Sequence, residues 1–326
     1  MPHHLRFGED DLLACRFAVS PLWETQEAVR TLKRPERQGY HPHWLRRVRA
    51  SGADLDFAPL WLLMPQRGHS PDWLGPPPLR PSGTFDEEIA AVRTADPEAA
   101  REEMVRALAC TPGAADTALG RHLLADPART VRELADLMER AWHVLVEPDW
   151  PRLRALLEAD VAFHSRRLAD VGLGGLLREL DHRFTWREGT LTVEWKGQHE
   201  RDLDGQGLVL MPSVFSWPDV ISGYEPPWQP TLVYPVRGIG GLWSAPTEQT
   251  TEALVRLLGR HRAAVLAALD LPATTTALAH RLDLAASSVS AHLKALRDAG
   301  LLTSRRYGHQ VLYERTPLGI ALAAGG

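Results

Sequence analysis

Residues 274–302 read Thr274-Thr275-Thr276-Ala277-Leu278-Ala279-His280-Arg281-Leu282-Asp283-Leu284-Ala285-Ala286-Ser287-Ser288-Val289-Ser290-Ala291-His292-Leu293-Lys294-Ala295-Leu296-Arg297-Asp298-Ala299-Gly300-Leu301-Leu302. Thr274 or Thr275 caps a helix whose Leu278, Ala279 and Leu282 face inward. Asp283-Leu284-Ala285 leaves room only for a short turn. The next helix, Ala286 to Ala299, buries Val289, Leu293 and Leu296 at spacings of four and three and leaves Ser287, Ser288, Ser290, Ala291, His292, Lys294 and Arg297 to its other faces. Gly300 stands where a helix stops in the left-handed region.

Working outward, Val265, Leu266 and Leu269 form an apolar stripe on a preceding helix that Leu271-Pro272 ends. Beyond Gly300, Leu301 to Arg306 and Gln310 to Arg315 alternate in character about Gly308-His309, with Arg305 and Arg306 leading to the tip. Helix, helix, turn, helix and hairpin in that order predict a winged helix-turn-helix over residues 245–326. A helix of about fourteen residues is a rod of roughly 20 Å, which fits across a major groove about 12 Å wide. The expected partner is double-stranded DNA, contacted by Thr275, Ser287, Ser288, Ser290, His292, Lys294, Arg305, Arg306 and Tyr307. Adjacent arginines at a wing tip suit phosphate or the minor groove. For His292 two readings stay open, a phosphate contact and packing within its own domain.

The chain has 326 residues and a net charge of −4. Divided along its length, the segment from Ala245 holds nine basic residues against six acidic, a net +3, which leaves −7 to the remainder. The charge is therefore distributed as a nucleic-acid binder requires, although the total is acidic. No apolar run approaches the roughly 20 residues of a spanning helix, and the first residues lack the basic-then-apolar order of a secretory signal. No membrane association and a cytoplasmic location are expected.

The run from Thr276 to Leu302 resembles the core of ArsR-type winged-helix regulators, whose recognition helix often reads S-x-x-S/T-V-S-x-H-L followed by an L-x-x-A-G-L-V-type exit. Ser20-Pro21-Leu22-Trp23-Glu24, Pro71 to Pro78, Pro212 to Pro218 and Pro226 to Pro235 look like a subgroup in which a long domain of unknown function precedes the winged helix. The resemblance implies transcription regulation, commonly repression, by a dimer on a near-palindromic operator. Two departures bear on it. No cysteine occurs in Thr276 to Leu282, where metal-sensing members place theirs, and Ala291 stands where many relatives have a long Arg or Gln.

Residues 1–244 are long enough for a separate core. They read as helical to about 181 and strand-containing over 182–244, giving an α+β, mainly helical fold with a small β layer. Helices are predicted at Ser20–Leu32, Asp86–Arg93, Pro97–Leu108, Ala128–Val146 and Trp150–Val171, with a capping box at Thr84 and Glu87 and a helix start at Glu9-Asp10-Asp11. Pro71 to Pro81 reads as a stiff connector or a loop laid over the surface. A hairpin is predicted about Glu188-Gly189, and strands at Gly207–Met211 and Thr231–Val236.

Eleven tryptophans occur in the chain, and several crowd into the strand-containing region. Trp195, Phe215, Trp217 and Trp228 either line a pocket for a small-molecule effector or fill the core between the β layer and the helices. No metal or cofactor is expected: Cys15 and Cys110 lack a CxxC partner and read as buried small hydrophobes, and His3-His4 and His41-Pro42-His43 lack converging ligands. Gly238-Ile239-Gly240-Gly241 lacks both GxGxxG spacing and a following Lys-Ser/Thr, so it is read as a turn. With no nucleophile elbow or catalytic constellation, residues 1–244 are read as a sensory and dimerisation domain rather than an enzyme. The alternatives are an enzyme or a protein-interaction domain fused to a regulatory winged helix.

Overall fold

Short strands become stable only with paired neighbours and a packed face, and the first seventeen residues of the chain obtain these far along the sequence. The structure, a computed structural model, describes residues 3–33, 41–51, 55–65, 68–181, 183–194, 199–217, 219–223, 225–239, 242–243, 248–269, 273–307 and 310–324, a few of them by backbone only. The chain forms two compact units, Met1–Arg237 and Gly238–Gly326.

In the first unit, β1 (His3–Arg6) is followed by α1 (Glu9–Ala14) and the two-residue β2 (Arg16–Phe17). The helices α2 (Pro21–Lys33), α3 (Pro42–Ala50), α4 (Ala58–Leu63), α5 (Phe85–Arg93), α6 (Pro97–Ala109), α7 (Ala118–Ala125), α8 (Pro127–Ala141) and α9 (Trp150–Leu180) then build the helical part. Their starts follow local chemistry. Ser20 Oγ accepts the Trp23 amide at the head of α2, and Thr84 and Glu87 form a reciprocal capping box at α5. Asp96 and Asp126 cap α6 and α8, with proline at the first helical position of each.

The strands β3 (Phe184–Arg187), β4 (Thr190–Val193), β5 (His199–Asp202), β6 (Val209–Ser213), β7 (Ile221–Gly223) and β8 (Thr231–Pro235) complete two sheets, ordered β3-β4-β1-β5 and β2-β6-β8-β7. Glu188 and Gly189 turn the β3–β4 hairpin at positive φ. In the second sheet β2, β6 and β8 are parallel and β7 runs against β8. Every residue of β6 is buried. Leu210, Leu232 and Tyr234 face a core shared with Leu5, Phe17, Leu176, Leu177 and Leu191, whereas Val209, Met211 and Val233 meet Ala18 and Trp23 on the other side. This two-sided burial is that of a strand inside an α/β layer.

Three expectations require correction. The first 181 residues are not wholly helical, because β1 sits inside one sheet and β2 joins the other; strands this short leave almost no periodic trace. The proline-rich stretch is not laid over the surface: Pro71, Trp73, Leu74 and the residues through Pro78 are buried around a single 3₁₀ turn, and only Leu79 to Ser82 are exposed. The helix predicted to end at Val171 does end there: Gly172, at φ 69° and ψ 174°, breaks the helical geometry of α9, and a second helical stretch runs on to Leu180. Finally, Cys110 is exposed and Cys15 half-buried; both thiols donate to carbonyls one turn back, at Arg106 and Asp11.

α8 passes into a π-type turn at Trp142–Val146. The Leu145 carbonyl there accepts the Trp44 indole N–H at 2.8 Å, and the Trp142 ring stacks on Phe85 at 4.7 Å. Four of the eleven tryptophans are spent in such packing, with Trp23, Trp44, Trp73 and Trp142 all buried.

The second unit contains α10 (Glu248–Leu258), α11 (Arg260–Ala268), β9 (Ala273–Thr274), α12 (Thr275–Leu282), α13 (Ala286–Asp298), β10 (Leu302–Tyr307), β11 (Gln310–Arg315) and α14 (Pro317–Ala324). Its own core joins Leu254, Val265, Leu266, Leu278, Val289, Leu293, Leu296 and Leu302. The chain is thus α+β, with a large N-terminal, mainly helical part, small sheet layers and a C-terminal helix-turn-helix region. Among the described residues, no helix is long and apolar enough to cross a membrane.

Candidate nucleic-acid interface

The tight turn between α12 and α13 is fixed by three local features. Thr274 Oγ1 accepts the Ala277 amide at 3.2 Å, so Thr274 is the cap and Thr275 the first, half-buried helical residue. Asp283 closes α12 in the left-handed region at φ 51°, and the Leu284 amide reaches back to the Ala279 carbonyl at 3.0 Å. α13 begins behind Ala285, which provides no side-chain cap, so the N–H groups of its first turn are left to solvent or to a ligand.

Val289, Leu293 and Leu296 are each at most 1% exposed. At about 100° per residue, the face opposite them carries Ser287, Ala291, Lys294 and Asp298, with Ser288 on one flank and Ser290 and Arg297 on the other. All seven are exposed. His292 lies nearer the core side: its ring stacks on His261 of α11, with centroids 5.7 Å apart and planes 17° from parallel. Burial first, and then the charges of His261 and Arg262, lower the pKa of its imidazole. The ring is therefore placed for packing within its own unit.

α13 ends in a glycine exit. Gly300, at φ 72°, donates to the Arg297 carbonyl, and the Leu301 amide reaches the Leu296 carbonyl at 2.9 Å. The chain then enters the hairpin, in which β10 pairs with β11 from Leu302↔Arg315 to Tyr307↔Gln310 and β9 adds a third strand at Leu312 and Tyr313. Arg305, Arg306 and Tyr307 occupy the tip end of β10. Their side chains, with Gly308 and His309, lie outside the described residues. Arg315, at the far end, is engaged within the unit: its guanidinium donates to the Leu266 and Ala267 carbonyls at 2.7 and 2.5 Å and closes the C-terminus of α11.

Of the rings proposed for an effector pocket, Trp195 lies outside the described residues. Phe215 is buried and packs 4.8 Å from both His41 and Trp44. Trp217 is half-buried, and so is Trp228, which packs against Ala18, Trp23, Val209, Met211 and Val233. Among the described residues no group of three or more His, Cys, Asp or Glu is arranged to hold a metal ion.

Sequence reasoning did not find the buried polar groups of the first unit. The Glu24 carboxyl accepts the Val214 amide at 3.1 Å, and burial pushes its pKa up to about 8. Glu88 accepts from Ser20 Oγ and the Leu22 amide, Asp160 from Tyr234 Oη and the Arg237 amide, and burial raises these carboxyls to about 7 and about 6. His41, fully buried, is lowered to about 4. The one sequence signal was a charged residue at a core-facing helical position, as with Glu24 beside Leu22 and Ala28.

The comparisons divide the chain in the same order. Residues 80–240 match a family of unknown function (DUF5937), and residues 257–305 match a helix-turn-helix domain, which supports a DNA-binding transcription regulator. No curated protein and no solved structure matches. The chain carries a C-terminal helix-turn-helix domain behind a segment of a family of unknown function, an arrangement that fits the ArsR-type regulators with a long N-terminal domain.

Proposed function

We propose that this chain is a ligand-responsive repressor of the ArsR type that binds a near-palindromic operator as a homodimer. Residues 245–326 read DNA, while residues 1–244 sense an effector and support assembly without catalysing a reaction. The observation that carries this reading is the exposed, uncapped face of α13 followed directly by a β-hairpin. A rod of about 20 Å seats in the major groove with Ser287, Ser288 and Ser290 near its leading end and Lys294 further along. Thr275 at the start of α12 and Arg305, Arg306 and Tyr307 on the hairpin hold the flanking backbone. His292 takes a supporting place against His261 rather than a base contact.

Net charge sets the scale of the electrostatic part. With +3 on the segment, each protomer neutralises about four phosphates, so a dimer shows a log–log salt slope of roughly −7. An anisotropy titration of the purified protein against DNA that co-purifies with it, repeated over a range of salt, tests this. A flat salt response rejects the reading. Ser288→Ala is expected to change the preference between sites, whereas a purely positional residue would weaken all sites alike.

A further inference from the structure

A guanidinium placed against protein carbonyls instead of carboxylates keeps its charge without a counter-ion, and such a site attracts an anion. Arg16, on β2, is in that position. One of its terminal nitrogens, Nη2, donates to the Pro78 carbonyl at 2.5 Å and to Gln229 Oε1 at 2.9 Å. The other, Nη1, is enclosed and has no hydrogen-bond partner. Among the described residues no carboxylate stands within ion-pair distance of Arg16, and burial alone moves its pKa down.

A second guanidinium adjoins the same segment. Arg201 Nη2 donates to Gln206 Oε1 and to the Trp228 carbonyl, both at 2.8 Å, and Gln229 Nε2 donates to the Gln206 carbonyl. Arg16 and Arg201 are thereby joined through Gln206 and the Trp228–Gln229 segment. Asp204, Asp72 and Glu225 act on Arg201, yet burial outweighs them and moves its pKa down as well. Trp228, whose carbonyl accepts from Arg201, is itself half-buried and packs against an apolar sheet face. The stretch that gives Pro78 also holds Trp73, whose buried indole N–H has no acceptor.

We propose that the first unit binds an organic oxyanion, a carboxylate or phosphate group on an apolar body, with Arg16 and Arg201 holding the head and Trp228 flanking the body. This deepens the effector reading and rests on it for any regulatory consequence. The site itself rests on the unsatisfied Arg16 nitrogen and the paired guanidinium groups. Both cations, from β2 and β5, converge on the short segment that carries the ring, so an apolar anion satisfies both where a simple salt ion satisfies one.

The test is isothermal titration of the full-length protein with benzoate, with phenyl phosphate, and with uncharged benzyl alcohol. Saturable binding of at least one anion and none of the alcohol is expected, and the tighter of the two identifies the head group. Arg16→Gln is expected to weaken that binding by about tenfold to a hundredfold, the range of a hydrogen bond to a charged group. Gln229→Glu retains Arg16 and supplies an internal carboxylate to it at the loss of the bond to the Gln206 carbonyl, so this variant, with its fold checked by circular dichroism, loses anion binding. Absence of saturable binding by either anion overturns the proposal, as does undiminished binding in both variants, since an ordered water on Nη1 then suffices. DNA affinity of the anion-free protein is measured separately; its failure while anion binding holds removes the regulatory reading and leaves the site standing.

Discussion

Glu24→Gln separates the energetics of the first unit from the chemistry of the second. Glu24 is 1% exposed on α2 and carries the loop after β6 by accepting the Val214 amide; burial displaces its carboxyl from 4.5 to about 8. The folded protein therefore holds this proton more tightly than the unfolded chain. The associated stability is full below about pH 4.5 and is lost as the pH rises through about 8. At about 1.4 kcal/mol per pH unit, the loss is about 3 kcal/mol at neutral pH and about 5 kcal/mol once both states ionise. Glutamine has nearly the same shape, can accept the Val214 amide and cannot ionise. The variant is thus expected to match the parent near pH 4 and to exceed it by a few kcal/mol near pH 8. Glu88 and Asp160 shift in the same direction and His41 in the opposite one, but they are common to both proteins and cancel in the difference. Urea unfolding followed by tryptophan fluorescence reports on the right unit, because ten of the eleven tryptophans precede Gly238. A difference independent of pH, or a parent protein that is the more stable near pH 8, refutes the reasoning.

Leu293→Ala empties the core beneath the exposed face of α13 and is expected to cost about 2–5 kcal/mol, with DNA binding lost in step with helical signal on heating. Gly300→Ala meets no atom within 4 Å, so its expected cost of about 1 kcal/mol comes from the positive φ alone and is read as a small drop in the melting temperature of the second unit. Replacing Arg305 and Arg306 by alanine is expected to flatten the salt slope of a dimer by about 4, at about 0.9 per lost contact, without altering the order of preferred sequences. An unchanged slope in the titration removes the wing from the interface.

The Thr274 cap, the three buried residues of α13, the Gly300 exit and the hairpin were all readable because each depends on neighbours within a few positions. The same holds for Thr84-Glu87 and for the Glu188-Gly189 turn. Legibility failed where partners are remote. β1 pairs His4 with Thr192, and β2 joins Leu210 through two residues; neither strand is long enough to show alternation. Proline between 71 and 78 signalled irregular backbone correctly, but its burial depends on what packs over it, as the approach of Gly75 to Gln26 illustrates.

By itself, then, the order of residues determined the winged helix-turn-helix region, its outward serines and Lys294, and the uneven division of charge, since periodicity, capping and composition are properties of the local chain. Tertiary structure alone decided that His292 stacks on His261, that Arg315 closes α11, that burial raises the Glu24 carboxyl beneath Val214, and that Arg16 and Arg201 meet across Trp228 and Gln229. Each of these joins groups from separate elements, and burial, which sets their charge and their need for partners, exists only once those elements pack.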